Sequence, residues 1–196
     1  MKLTIKLFTE TDPFAPTEFI PVFHRWIQNQ SLPNHLLIDV ADYAHVPAGP
    51  GTLIVASEAN IHMDRSENRL GLLYVRKQPI PGATTFAEEL RGTLAETFKA
   101  AIKLQAEPEF TSKLKFNTSE LSIRLNDRLQ APNDDHTLEK FKKDFDTLAT
   151  TLFGPSPFII EHYKPSPLTL FEIRIKAGDA PPLKRLLERI TSHVPV

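Results

Sequence analysis

Apolar and polar residues alternate over Lys2–Phe8, with Leu3, Ile5 and Leu7 set against Thr4 and Lys6. That period of two predicts a half-buried strand. After the breaks at Asp12-Pro13 and Pro16-Thr17 the period changes. Phe19, Ile20, Val22, Phe23, Trp26 and Ile27 recur at helical spacing, predicting a helix that ends near Asn29. Leu36–Ala41 and Thr52–Ala56 read as strands, joined through the turn Gly49-Pro50-Gly51. Ile61–Met63 and Leu70–Val75 then form a hairpin around Arg65-Ser66-Glu67-Asn68. Thr85 followed by Glu88 is a capping-box signature, opening a helix that carries Phe86, Leu90, Leu94, Phe98 and Ile102 and stops by Pro108.

The second half begins again. Leu114–Phe116 is a weak strand and Leu121–Leu125 a strong one. A narrow helical stripe, Leu138, Phe141, Phe145, Leu148 and Leu152, ends at Gly154-Pro155. Strands follow over Phe158–Tyr163 and Leu168–Ile175. Asp179 is a suitable N-cap with Pro181 in the first turn, leading into Leu183, Leu186, Leu187 and Ile190.

Both halves share the order strand, helix, strand, strand, helix. Leu3-Thr4-Ile5-Lys6-Leu7 matches Leu121-Ser122-Ile123-Arg124-Leu125, and Leu37-Ile38-Asp39 matches Ile159-Ile160-Glu161. The expectation is an α+β chain built from an internally duplicated unit of ferredoxin-like type. Its sheet would be mainly antiparallel, with helices on one face. The halves divide as 1–109, which carries the extra hairpin, and 110–196, or else they merge into one continuous domain.

Composition narrows the chemistry. With no cysteine, disulfides, thiolate nucleophiles and Cys-ligated metals are excluded. Lys and Arg nearly balance Asp and Glu, leaving a net charge of −1, so a nucleic-acid partner is not expected. The start of the chain lacks a signal-peptide pattern, and no run approaches the ~18 apolar residues of a membrane span. No membrane partner is expected, and a cytoplasmic location is the default.

Carboxylates and imidazoles concentrate between Asp39 and Asp64. Asp39 interrupts an apolar strand, where a carboxylate needs a partner. With Asp42, and with Glu161 as its counterpart under the duplication, it is a candidate ligand-binding group. His45, Glu58 and His62 are candidate metal ligands, since carboxylate plus imidazole suits a divalent metal cofactor. No spacing of known mechanism is present. The leading expectation is therefore a non-catalytic module binding a small molecule or a protein. The alternatives are a metal-dependent hydrolase using the cluster between residues 39 and 64, and a structural subunit forming a homodimer or larger assembly. The remaining basic residues, among them Lys140, Lys142, Lys143, Arg174, Lys176 and Arg189, read as solvated faces.

Overall fold

A computed structural model describes residues 2–43, 45–46, 49–166 and 168–192. The strands are β1 (Leu3–Thr9), β2 (Leu37–Asp42), β3 (Thr52–Ala56), β4 (Ala59–Asp64), β5 (Gly71–Arg76), β6 (Phe116–Leu125), β7 (Phe158–His162) and β8 (Phe171–Ala177). The helices are α1 (Phe19–Gln28), α2 (Phe86–Gln105), α3 (Asp135–Phe153) and α4 (Leu183–Ser192). All eight strands join one antiparallel sheet in the order β2-β3-β4-β5-β1-β6-β8-β7. The α+β class with an antiparallel sheet agrees with the pattern read from the chain.

One sheet face carries Leu3, Ile5 and Leu7 of β1, Leu72 and Tyr74 of β5, Ile123 of β6 and Ile173 of β8. All are fully buried, and they join a single apolar cluster with the inward residues of the four helices. That cluster includes residues of both halves of the chain, and β1 and β6 pair at the centre of the sheet. Their register is reciprocal: Leu3 faces Leu125, Ile5 faces Ile123 and Leu7 faces Leu121.

The capping box at Thr85 is complete: its hydroxyl accepts the Glu88 N–H, and Glu88 accepts from the backbone of Thr84 and Thr85. Those bonds hold the Glu88 carboxyl down at about 2. The end of the chain differs from expectation. Asp179 does not cap α4, which begins only at Leu183 after Pro181-Pro182. The N–H groups of Arg185 and Leu186 bond to the Pro182 carbonyl instead. Leu114–Phe116 and Leu121–Leu125 are also not two strands, since β6 runs unbroken over Phe116–Leu125.

The second face of the sheet is polar and partly roofed. Lys6 points to it from β1 yet is only 1% exposed, because the β4–β5 hairpin loop folds over it. Its ammonium donates to Asp64 Oδ2 at 2.6 Å, to the Ser66 hydroxyl at 3.0 Å and to the Ser66 carbonyl at 3.2 Å. Glu67, in the left-handed region at φ 62°, reaches beyond to Arg124 and Arg174. Arg174 is thus no solvated residue: it is buried between Glu67 and Glu172, and its guanidinium lies over the Tyr163 ring.

Candidate functional site

The structure spreads the carboxylates and imidazoles between residues 39 and 64 over several surroundings. Asp39 lies on the edge strand β2, exposed, its Oδ1 accepting the neighbouring Val40 N–H. It therefore avoids the desolvation that an apolar strand suggests. Asp42 ends the same strand, also exposed. Glu161 is on β7, the opposite edge, where Lys176 donates to it at 2.7 Å. The two edges are seven strand spacings apart, roughly 34 Å. Asp39 and Glu161 consequently do not form a carboxylate pair.

The proposed metal ligands separate for a similar reason. Glu58 sits in the turn between β3 and β4, accepting the Leu36 N–H at 2.8 Å. His62 lies four residues along, a strand length of roughly 13 Å. His45 follows β2 at the far end of that hairpin and is exposed; Pro47 and Ala48 of the same connection lie outside the described residues. Among the described residues no three His, Cys, Asp or Glu side chains gather closely enough to hold a metal ion. Asn60, His62 and Asp64 do share one sheet face, opposite Val75, Leu73 and Gly71. His62 is buried there, with Nδ1 3.3 Å from the Pro50 carbonyl and Nε2 without a hydrogen-bond partner.

A different set converges where β1 begins and β5 and β6 end. Lys2, Arg76, Lys77 and Arg128 line a cleft of about 820 Å³. Its one carboxylate, Asp127, is engaged in its own turn, accepting the N–H groups of Leu129 and Gln130. Arg128 donates to the Leu168 carbonyl at 2.7 Å. Arg76 is the unusual member, being only 4% exposed. Its guanidinium donates to the carbonyls of Gln78 and Pro79 and, at 3.1 Å, to the Tyr74 hydroxyl. All three acceptors are neutral. Two of the five N–H donors of an arginine remain. Sequence reasoning missed this cleft because its cations come from three distant segments. The adjacent Arg76-Lys77 at the end of an apolar strand is the one local signal.

Behind Arg76 lies a buried polar chain. Tyr74 hydroxyl is 2.7 Å from His35 Nε2, and His35 Nδ1 faces Glu96 at 3.9 Å. Burial pushes the Tyr74 hydroxyl up to about 12, so it stays protonated. Burial also holds His35 below the ordinary histidine range, against the opposing pull of Glu96. His62 is lowered by burial too.

These histidines give a signed pH dependence. Above about pH 6.5 they are neutral in both states. As the pH falls through that value, the unfolded chain takes up protons that the folded chain refuses, so stability drops until the folded values are passed. The thermal midpoint is expected to fall between pH 7 and pH 5. The double variant His35→Gln/His62→Gln should fall less steeply over the same interval; an equal slope would place the titration elsewhere.

Comparison with known proteins adds no relative: no family model, no curated protein and no solved structure matches this chain.

Proposed function

We propose that this chain is a binding module whose basic cleft takes a small anionic ligand bearing phosphate or carboxylate. The observation that carries the reading is Arg76, a buried guanidinium with no carboxylate partner in the wall of that cleft. A buried cation is costly without a counter-charge. Behind Arg76 the carboxylates Glu58 and Glu96 share a pocket with it, but neither forms an ion pair with it among the described residues. On the cleft side its charged neighbours are mostly cations. Lys2 and Lys77 stand at the same cleft without an ion pair among the described residues. An anion would supply the missing charge and accept the free guanidinium N–H groups in charge-assisted bonds.

Titration calorimetry of the full chain with inorganic phosphate tests this. Saturable binding is expected, weakened about tenfold to a hundredfold by Arg76→Gln, the usual range for losing a hydrogen bond to a charged group. Lys77→Ala should weaken it as well. No saturable heat in the unaltered protein would refute the reading.

The reciprocal register of β1 and β6 supports a duplicated ferredoxin-like unit. Under that relation Lys6 corresponds to Arg124 and Thr4 to Ser122, so the pairs Lys6–Ser122 and Arg124–Thr4 exchange. Each half then supplies the strand that the other lacks, and β2–β3 is an added hairpin at the first half's edge. Under the same proposed duplication Asn60, and not Asp39, is the counterpart of Glu161, since they face Val75 and Arg174 at equivalent places. The other readings have less support. The hydrolase reading finds no gathered ligand set among the described residues. The assembly reading meets an edge strand that exposes Ile38, with Leu36 just before it, but carries Asp39, Asp42 and a bulge, features that protect edges from pairing.

A further inference from the structure

Leu129 and Leu168 are the two most exposed large apolar side chains among the described residues, at 97% and 78%. Scattered exposed leucines need no explanation. These two, however, stand at one place, on the loops after β6 and before β8. Leu129 lines the basic cleft, and Arg128 ties its loop to the other by donating to the Leu168 carbonyl. The arrangement is thus a pair of apolar tips beside a pocket of cations.

Resting on the anion-binding reading of this cleft, we propose that it docks onto an anionic lipid surface. A headgroup phosphate would enter the cleft against Arg76, Lys77 and Lys2, while Leu129 and Leu168 dip into the acyl boundary. Both parts are needed, since charge attraction brings a protein to such a surface and apolar burial holds it there. Docking of this kind requires no membrane-spanning helix. A soluble phosphate compound explains the cations but not an exposed Leu129 at the rim with an exposed Leu168 on the loop tied to it. Single-stranded nucleic acid is disfavoured because the cleft wall contains no aromatic ring on which a base could stack.

The test is sedimentation of the full chain with phosphatidylcholine vesicles, with and without phosphatidylserine, alongside phosphate calorimetry. The protein is expected to sediment with phosphatidylserine vesicles and not with phosphatidylcholine alone. Leu129→Ser/Leu168→Ser should weaken vesicle binding about tenfold or more without changing the thermal midpoint, and Leu168→Ser alone, outside the cleft lining, should weaken it while leaving phosphate binding unchanged. Vesicle binding that survives this double substitution would overturn the proposal, as would tighter capture of a single-stranded RNA that displaces the vesicles. Phosphate binding without vesicle binding would overturn the docking alone and leave the cleft as a site for a soluble anion. Loss of both would overturn the two readings together.

Discussion

Asp64→Ala is expected to destabilise the fold by about 3–5 kcal/mol, the ordinary result of removing one partner from a buried ion pair. Lys6 is the reason. Its ammonium lies beneath the β4–β5 loop, and its three acceptors are Asp64 Oδ2 and the two oxygens of Ser66. The Ser66 hydroxyl also donates to Asp64 at 2.6 Å, so the carboxylate organises the loop as well as the charge. Burial already draws the Lys6 ammonium below the usual lysine range, against the attraction of Asp64. Without Asp64 the cation keeps the burial and loses the compensation. Lys6→Met combined with Asp64→Leu removes both charges and should recover most of the loss, since apolar replacement of a whole buried pair is often close to neutral. Urea denaturation of the three proteins measures this. A loss of only about 1 kcal/mol in Asp64→Ala, the scale of a surface pair, would mean that the loop lifts and lets Lys6 reach water.

Lys6 also shows where reading the chain succeeds and where it stops. Its alternation with Ile5 and Leu7 marks β1 correctly, because a strand with one apolar and one polar face leaves that period in the sequence, although β1 is buried on both faces and not half-buried as the pattern predicts. A short apolar run places β3 at Thr52–Ala56 and a capping box places the start of α2 at Thr85, both also local signals. The alternation sends Lys6 to the polar face, and so it does; its burial comes from a loop about sixty residues later, which no local pattern contains. Asn117-Thr118-Ser119-Glu120 misleads in the opposite sense. These polar residues suggest a gap between strands, and the register against β1 does shift across them, from Leu7–Leu121 to Thr9–Phe116. Yet β6 continues through the irregularity, and Glu120 already pairs with Lys176 of β8. The candidate site depends still more on topology. Asp39 and Glu161 look equivalent in sequence and lie on opposite edges, whereas Lys2, Arg76 and Arg128 look unrelated and line one cleft. Strand order decides both cases, and strand order is the part of an antiparallel fold that periodicity leaves open.

Gly51→Ala is expected to cost about 3 kcal/mol or more, combining backbone strain of about 1–3 kcal/mol with a steric conflict. Gly51 has φ +68°, and a Cβ there would stand 2.2 Å from the Met63 carbonyl oxygen. That oxygen belongs to β4, which pairs with β3 at Thr52–Met63, so the backbone cannot yield without opening the hairpin. Gly82→Ala separates the two contributions. Gly82 has a similar φ of +81°, but nothing lies within 4 Å of its added Cβ, and its loss should be backbone strain alone, about 1–2 kcal/mol. Denaturant midpoints of both variants give the difference, which is the conflict with Met63. Equal losses would mean that the β2–β3 connection moves aside to admit the methyl group. Because Gly51 accepts the Tyr43 N–H and its neighbour Pro50 accepts from His62, such a movement would also release His62. If the movement also lets water reach the ring, relief of burial outweighs the lost bond to Pro50. A rise in the His62 pKa toward the ordinary histidine value, followed by NMR, would then accompany the equal losses and locate the movement in this turn.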